Sequence, residues 1–379
     1  MPYGETWRRQ RSAFQRDMTP QKATSYVPLI NASCKVLMHA LLRSPEQFEE
    51  NFYKYSGGIM LKICYGLSDE RECDNVVKDL TKIWEASLAA AVPGTNLVDL
   101  VPSLDYLPDF LSPWRKDAVR VRDETRRIFT DLVQHVREKN KEKLRLDDLD
   151  LAFLTASVFE AGTDTTTATL STFIMAAASY PSALVAAQAE IDRVCGDRPP
   201  TIDDVESLPF VKAMVKETMR WRPVVAGGVP HQATTTEDDY YNGMRIPAGA
   251  LVIVNQYGMA MNQTMYGQKY NAEIFEPRRW TDRPEGVGDM FEANQGFGFG
   301  RRICPGRHLA VKTLFIAVAN LCYWFDIRPR KGYSIDVHKF TSALVVHPEP
   351  FKCYIMPRTG RAAHIEKEAE AASELLSNL

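Results

Sequence analysis

The sequence predicts a mainly α-helical protein with small β-sheets, that is, an α+β fold class. Helical periodicity dominates residues 20–221 and returns directly after residue 306. One helical pattern, Asp148–Ser179, would run roughly 45 Å at about 1.5 Å per residue, long enough to cross a whole domain. Short strand-like runs with glycine and proline turns are confined to residues 224–254 and to segments beyond residue 324.

The composition is that of an ordinary globular protein, because 45% of the 379 residues are hydrophobic and 25% are charged. We predict one domain, residues 1–365, followed by a charged tail, residues 366–379. A net charge of −2 without long runs of one sign argues against nucleic acid as a partner. The seven cysteines form no Cys-x-x-Cys pair, which argues against a zinc cage, an iron–sulfur cluster or a disulfide framework.

The first residues contain no apolar core of signal-peptide length. No stretch of about 18 apolar residues lacks a charge, so we predict no membrane span in this sequence. Glu160 and Asp164 lie in the middle of the long apolar pattern, which favours a core helix over a lipid-facing one.

Local signals predict the elements in chain order. Amphipathic patterns predict helices at residues 75–91 and 115–139. Acidic residues at 147, 148 and 150 suit the start of the long helix, and Pro181 closes it. Further helices are predicted at 182–195, 202–221 and from 307 to about 324, with β segments near 325–330, 340–347 and 351–356.

A cysteine in a glycine-rich turn is the first candidate for chemistry. Residues 297–306 read Phe-Gly-Phe-Gly-Arg-Arg-Ile-Cys-Pro-Gly, and a helical pattern follows at once. Glycines at 296, 298, 300 and 306 let the backbone adopt positive φ and approach a flat ligand. A helix N-terminus lowers the pKa of a neighbouring thiol, which suits Cys304 as a metal ligand. The alternative is a tight turn around a buried structural cysteine.

An acid and two arginines are the second candidate. Glu217 and Arg220 lie three positions apart on one helical face, and Arg279 lies in a proline-bent aromatic loop. A glutamate held by two arginines fixes a loop against a helix. The alternative for Glu217 and Arg220 is an ordinary surface ion pair.

Small and polar residues interrupt the long helix at its centre, in residues 161–166. Gly162 clears space beside the helix. Thr165 can bond back to the carbonyl of Ala161 and leave a polar notch, next to which Asp164 can relay protons. The alternative is a packing face of small residues.

Three side chains offer the N–H donors that the carboxylates of a cofactor require. Trp7 and Arg11 are one helical turn apart, and His231 lies in the β region after Pro230. The alternative for each is ordinary surface chemistry.

Together these features resemble the cytochrome P450 family of haem-thiolate monooxygenases, from Trp7 to about Arg358. The cysteine segment fits the family signature Phe-x-x-Gly-x-Arg-x-Cys-x-Gly at every fixed position, which are Phe297, Gly300, Arg302, Cys304 and Gly306. Glu217 and Arg220 match the family's Glu-x-x-Arg pair, and Arg279 matches the third member of that triad. Residues 161–166 match its oxygen-activation motif.

The resemblance implies a cytochrome P450 fold and haem b, with the Cys304 thiolate as axial ligand of the iron. The implied haem-binding residues are Trp7, Arg11, Gly162, His231, Phe297, Arg302, Cys304 and Gly306. Asp164 and Thr165 would deliver protons to dioxygen, whereas the Glu217, Arg220 and Arg279 triad would be structural. The implied substrate contacts are Phe159, Ala161, Val225, Ala226 and Leu344.

The resemblance further implies electrons from NADPH through cytochrome P450 reductase, and a lipophilic small molecule as substrate. Residues 229–249 look most like fungal microsomal members of secondary metabolism, which an N-terminal anchor holds at the cytoplasmic side of the endoplasmic reticulum. No anchor or first set of helices and strands precedes Met1, so we expect a truncated fold that lacks them. The link at residues 143–149 is also shorter than in such relatives.

Two other functions stay open at this point. A haem-thiolate isomerase or dehydratase would need no external oxygen, and such enzymes tend to lose the acid–alcohol pair that Asp164 and Thr165 form. A degenerate haem-fold fragment without turnover would follow from the missing N-terminal region.

Overall fold

The computed structural model describes residues 3–67, 69–91, 96–139, 146–290 and 295–378. Its helices are α1 (Glu5–Asp17), α2 (Pro20–Ser25), α3 (Val27–Arg43), α4 (Phe48–Tyr65), α5 (Glu70–Ala91), α6 (Leu97–Leu100), α7 (Pro113–Lys139), α8 (Asp148–Ser179), α9 (Pro181–Cys195), α10 (Pro209–Trp221), α11 (Gln256–Ala260), α12 (Gln263–Tyr266), α13 (Arg278–Thr281), α14 (Arg307–Trp324) and α15 (Ala362–Asn378). Its strands are β1 (His231–Gln232), β2 (Asp239–Tyr241), β3 (Met244–Ile246), β4 (Leu251–Val252), β5 (Phe325–Pro329) and β6 (Cys353–Pro357). The prediction of a mainly α-helical fold with small sheets is confirmed. The short link expected at residues 143–149 lies partly outside the described residues.

The central helix α8 has the bounds that its sequence predicts. Its first turn is capped by the Asp147 carboxylate, which accepts a hydrogen bond from the Asp150 N–H at 2.7 Å. Pro181 starts a new helix, because proline is tolerated in the first helical turn but not in a helix interior. Between Thr163 and Ala178 every residue except Thr165 is buried. The helix as a whole packs against α4, α7, α10, α14 and β5.

The helix predicted at residues 202–221 is in fact two elements. Ile202–Asp204 forms one 3-10 turn, in which Thr201 and Asp204 cap each other. α10 starts only at Pro209, whose missing N–H suits the first position of a helix but cannot continue an existing one. The sequence pattern did not reveal this break because apolar residues continue across it.

The sheets of the described residues are three antiparallel strand pairs: β1 with β4, β2 with β3 and β5 with β6. In the last pair Ile327 lies opposite Ile355, and both are buried. The strand predicted at residues 340–347 does not form. Instead, a single bridge from Phe340 to Pro348 closes a loop, since the missing N–H of Pro348 interrupts a ladder.

The C-terminal helix α15 packs along α3. It begins at Ala362, ahead of the charged tail expected from residue 366. Its buried residues are spaced three or four apart on one helical face: Ile365, Ala369, Ala372 and Leu376.

No helix of the described ranges, taken singly, has the length and apolar character of a membrane span. α8 and α9 meet that criterion only as a pair, bent by 102° between them.

Candidate functional site

The cysteine turn, residues 297–306, overlaps the 3-10 turn Gln295–Phe297, contains a second one at Gly300–Arg302 and leads directly into α14. Gly298 and Gly300 have φ values of 71° and 58°, in the left-handed region that favours glycine. Gly306 differs from the prediction, because its φ is −82° and it directly precedes the helix. The Cys304 N–H donates to the Phe297 carbonyl at 2.7 Å and closes the turn.

Burial raises the pKa of the Cys304 thiol above its ordinary value. The Gly306 and Arg307 N–H groups and the Arg11 and Arg307 guanidiniums act in the opposite direction, but burial is the larger effect. The helix N-terminus therefore lowers this pKa as predicted, but by less than burial raises it. A metal ion would overcome burial, since a coordinating thiol is deprotonated outright.

A cavity of about 710 Å³ lies beside the sulfur. Its walls come from α1, α4, α8, α14, the cysteine turn and residues 223–231. Eleven of the predicted site residues line it: Trp7, Arg11, Ala161, Gly162, Thr165, Val225, His231, Phe297, Arg302, Cys304 and Gly306. The volume is in the range of ordinary small-molecule and cofactor sites.

Three predicted substrate contacts are absent from the lining of this cavity. Phe159 is 1% exposed and packs in the core, with its ring centroid 6.2 Å from that of Phe129. Leu344 points to solvent, and Ala226 accepts a backbone hydrogen bond from Tyr257. A residue on α8 faces the cavity only if its angular position on the helix allows it, which excludes Phe159.

The centre of α8 presents a hydroxyl to the cavity. Thr165 Oγ1 donates to the Ala161 carbonyl at 2.6 Å, as its sequence predicts, while the helix continues unbroken. The space that Gly162 clears is filled by a methionine, since a Cβ on Gly162 would lie 2.4 Å from Met60 Sδ. Met60, on α4, therefore belongs to the same wall.

Cationic and indole groups line the side of the cavity formed by α1. Arg11 Nη2 donates to the Ile303 carbonyl at 2.6 Å. Arg11 Nε is buried and has no hydrogen-bond partner among the described residues. The guanidinium of Arg302 lies over the Trp7 ring, 4.3 Å from its centroid, and His231 on β1 lines the same cavity. This group of donors matches the requirement of an anionic ligand.

Glu217 is fully buried and anchors loops next to the cysteine turn. Arg220 donates to both of its oxygens at 2.8 Å, and Arg279 Nε approaches at 3.4 Å. The Trp280 indole and the Glu276 N–H donate at 3.0 and 2.9 Å. Because α10 also packs against residues 295–297, this network fixes the segment that leads into the cysteine turn.

Asp164 does not line the cavity, although its neighbour Thr165 does. Its Oδ1 lies 2.9 Å from Nε2 of His347, whose Nδ1 lies 3.1 Å from a carboxylate oxygen of Glu49. Its Oδ2 is buried and has no partner among the described residues. One helical turn earlier, burial and the Asp164 charge raise the pKa of Glu160 to about 7.

Comparison with known proteins shows which family this chain, with its cysteine turn, central helix and acid–arginine network, belongs to. The family model described as Cytochrome P450 matches residues 1–355. The chain is a member of the cytochrome P450 family. Its fungal relatives include cytochrome P450 monooxygenase 88 of Postia placenta, 35% identical over 94% of this chain and 74% of the relative. A cytochrome P450 monooxygenase of Armillaria gallica is 33% identical over 97% of this chain and 77% of its own. The monooxygenase aneD of Aspergillus aculeatus is 33% identical over 98% and 73%.

Cytochrome P450 membership implies an oxidoreductase with a haem bound through a cysteine thiolate, and the residues of this chain fit such a group. Cys304 faces the cavity, and the turn glycines keep side chains away from it. Arg11 Nε, which has no hydrogen-bond partner among the described residues and belongs to a side chain hydrogen-bonded to the cysteine turn, is suited to donate a hydrogen bond to a haem carboxylate.

Sequence reasoning missed His347, Glu49 and Met60. His347 lies 183 positions from Asp164 and 298 from Glu49, so no local spacing connects the three. The one available signal was a histidine in a segment otherwise rich in apolar residues, between Val346 and Pro348.

Proposed function

We propose that this cytochrome P450 oxidises a lipophilic small molecule with dioxygen, using electrons that cytochrome P450 reductase passes on from NADPH. The supporting observation is that the Thr165 hydroxyl and the Cys304 sulfur line one cavity with mainly apolar walls. Such walls suit a hydrophobic ligand. They include Ile59, Met60, Phe153, Leu154, Val158, Met219 and Val225.

When bound, haem supplies the insertion of oxygen into an unactivated C–H bond, and the chain supplies binding and orientation. Cys304 would ligate the haem iron in this proposal, and Phe297, Gly162 and Gly306, which line the cavity, would contact the haem. Trp7, Arg11, His231 and Arg302 would hold the haem carboxylates through hydrogen bonds. Glu217, Arg220 and Arg279 act as a structural triad.

The two members of the acid–alcohol pair, Asp164 and Thr165, have separate tasks in this proposal. Thr165 keeps a polar atom in an otherwise apolar wall, because its hydroxyl proton is committed to the Ala161 carbonyl and its lone pairs remain free to accept a proton donor. Asp164, on the protein side of the same turn, supplies protons to this position. An isomerase or dehydratase has no use for such a pair, which favours the monooxygenase.

The biological setting in this proposal is fungal secondary metabolism, at the cytoplasmic side of the endoplasmic reticulum for full-length relatives. Reconstitution with a cytochrome P450 reductase tests the function. We expect product from a lipophilic substrate only when both NADPH and dioxygen are present. Turnover without either one would support the isomerase instead, and full haem loading without product from any substrate of a broad panel would contradict both enzymes.

Arg11→Met is expected to weaken haem retention by roughly 10- to 100-fold, since hydrogen bonds to charged groups are worth about 1.5–3 kcal/mol. The rate and extent of haem transfer to an excess of haem-free scavenger protein measure the effect. Arg8→Met is the matched control, because Arg8 lies on the same helix but is exposed and lies outside the cavity lining. Equal losses in the two variants would contradict the assignment.

Thr165→Val is expected to leave NADPH consumption in place while the product formed per NADPH falls by about 100-fold, with peroxide released instead. Valine keeps the shape of the side chain and removes the polar atom. Thr155→Val is the control, because Thr155 makes the same bond to a carbonyl four residues earlier, outside the cavity lining. An unchanged amount of product per NADPH in Thr165→Val would rule out a role of the Thr165 hydroxyl in proton delivery.

A further inference from the structure

A continuous chain of three side chains connects the middle of α8 with the surface of α4. Asp164, His347 and Glu49 have side-chain exposures of 5%, 16% and 46%. The contacts are 2.9 Å from Asp164 Oδ1 to His347 Nε2 and 3.1 Å from His347 Nδ1 to Glu49 Oε1. Both distances lie in the range of N–H···O hydrogen bonds. A route for protons therefore reaches Asp164 without crossing the cavity.

The loop that carries His347 is fixed by its own hydrogen bonds. The His347 N–H donates to Thr341 Oγ1 at 3.0 Å, and its carbonyl accepts from the Thr341 N–H at 2.9 Å. The neighbouring Val346 N–H donates to the carbonyl of Val224, itself a wall residue of the cavity, at 2.8 Å. The imidazole is thus held between α4 and α8 by structure outside either helix.

We propose that His347 reloads Asp164 with protons taken up at Glu49, and so determines how fast the acid of the acid–alcohol pair is restored. This inference rests on the proposed function, in which Asp164 supplies protons towards Thr165. The charged groups that act on His347 among the described residues are Asp164 on α8 and Glu49 on α4.

The transfer balances as one proton per cycle. The imidazolium releases its Nε2 proton to the Asp164 carboxylate, which becomes a carboxylic acid, and the ring becomes the neutral Nδ1–H tautomer. Glu49 takes a proton from solvent and becomes a carboxylic acid, the ring turns so that its unprotonated nitrogen accepts this proton, and Glu49 returns to the carboxylate. The ring then turns back as the imidazolium. The carboxylic acid gives its proton towards the cavity and returns to the carboxylate.

The protonation state of His347 suits this task. Burial alone would lower the pKa of His347, but the hydrogen bonds to Asp164 and Glu49 outweigh burial and raise it to about 9. The imidazolium is therefore present throughout the neutral range and is lost as the pH rises through about 9. Supply of protons through His347 falls over the same pH interval.

Nuclear magnetic resonance of the reduced carbon monoxide complex, labelled at histidine, tests the first half of the proposal without turnover. The chain has seven histidines, so the signal absent from His347→Gln identifies the residue. We expect His347 to titrate well above the ordinary histidine value, and Glu49→Gln to lower that pKa. Glu50→Gln is the control, since Glu50 lies next in sequence and pairs with Lys54 instead. If His347 has an ordinary histidine pKa that does not change in Glu49→Gln, the proposal is overturned.

Turnover of His347→Gln tests the second half. Glutamine keeps an N–H donor for Asp164 but cannot pass a proton through its side chain. We expect the product formed per NADPH to fall about tenfold or more and the solvent deuterium isotope effect to rise. Glu49→Gln should move the alkaline decline of the product rate to lower pH. His364→Gln on α15 is the control for histidine loss at an exposed site.

If His347→Gln forms as much product per NADPH as the wild-type protein and its product rate has the same pH dependence, the contact between His347 and Asp164 is only structural and the proposal is overturned. Failure of the proposed function is distinguishable, because it removes product from the wild-type protein at every pH. The pKa of His347 and its change in Glu49→Gln can still be measured in that case, because the resonance experiment needs no turnover.

Discussion

Replacing Glu217 with alanine is expected to lower the free energy of unfolding by about 3–5 kcal/mol, because it leaves two buried guanidiniums without their carboxylate. Glu217 is 0% exposed, and the side chains of Arg220 and Arg279 are 2% and 4% exposed. Typical domains have only about 5–15 kcal/mol to lose. The variant is therefore expected to express poorly and to bind little haem, although Glu217 touches no part of the cavity.

Chemical denaturation followed by circular dichroism measures this loss. Asp117→Ala is a matched control, because Asp117 and Arg120 form an ion pair of the same three-residue spacing at the surface of α7. Its expected change is below about 1 kcal/mol. Similar stabilities for the two variants would show that the buried network does not hold the fold together.

Replacing Cys304 with alanine is expected to abolish monooxygenase activity and to remove the thiolate-type band of the reduced carbon monoxide complex. The other cysteines do not line the cavity, so none replaces the ligand. The fold itself should persist, because Cys304 lies in a turn held by backbone hydrogen bonds and glycine geometry rather than by its side chain.

Cys353→Ala serves as the control for loss of a half-buried thiol, since Cys353 lies on β6 away from the cavity. Helical content and unfolding of both variants should match those of the wild-type protein. Retention of the thiolate-type band in Cys304→Ala would assign the ligand to another residue.

Much of the fold could be predicted because its signals are local. The central helix has an acidic cap at Asp147 and a stop at Pro181, and both sequence signals fall where the structure has its ends. The break before Pro209 was missed because apolar residues continue across it, and the loop at residues 340–348 because Pro348 interrupts the strand pattern there.

The parts of the site that depend on a local sequence motif could be predicted. The orientation of a side chain that depends on tertiary contacts could not. The spacing around Cys304 and the back-bond of Thr165 are properties of a few consecutive residues. The direction of Asp164 depends on His347, which folding brings to α8 from a distant loop. The pKa of Cys304 also depends on burial, which no local pattern contains.

The carbon monoxide difference spectrum of the purified, reduced wild-type protein is the most direct test of Cys304 as the haem ligand of this cytochrome P450. We predict the Soret band of a thiolate-ligated haem, at a stoichiometry near one haem per chain. A band of the histidine-ligated type, or a protein that takes up no haem, would contradict this account.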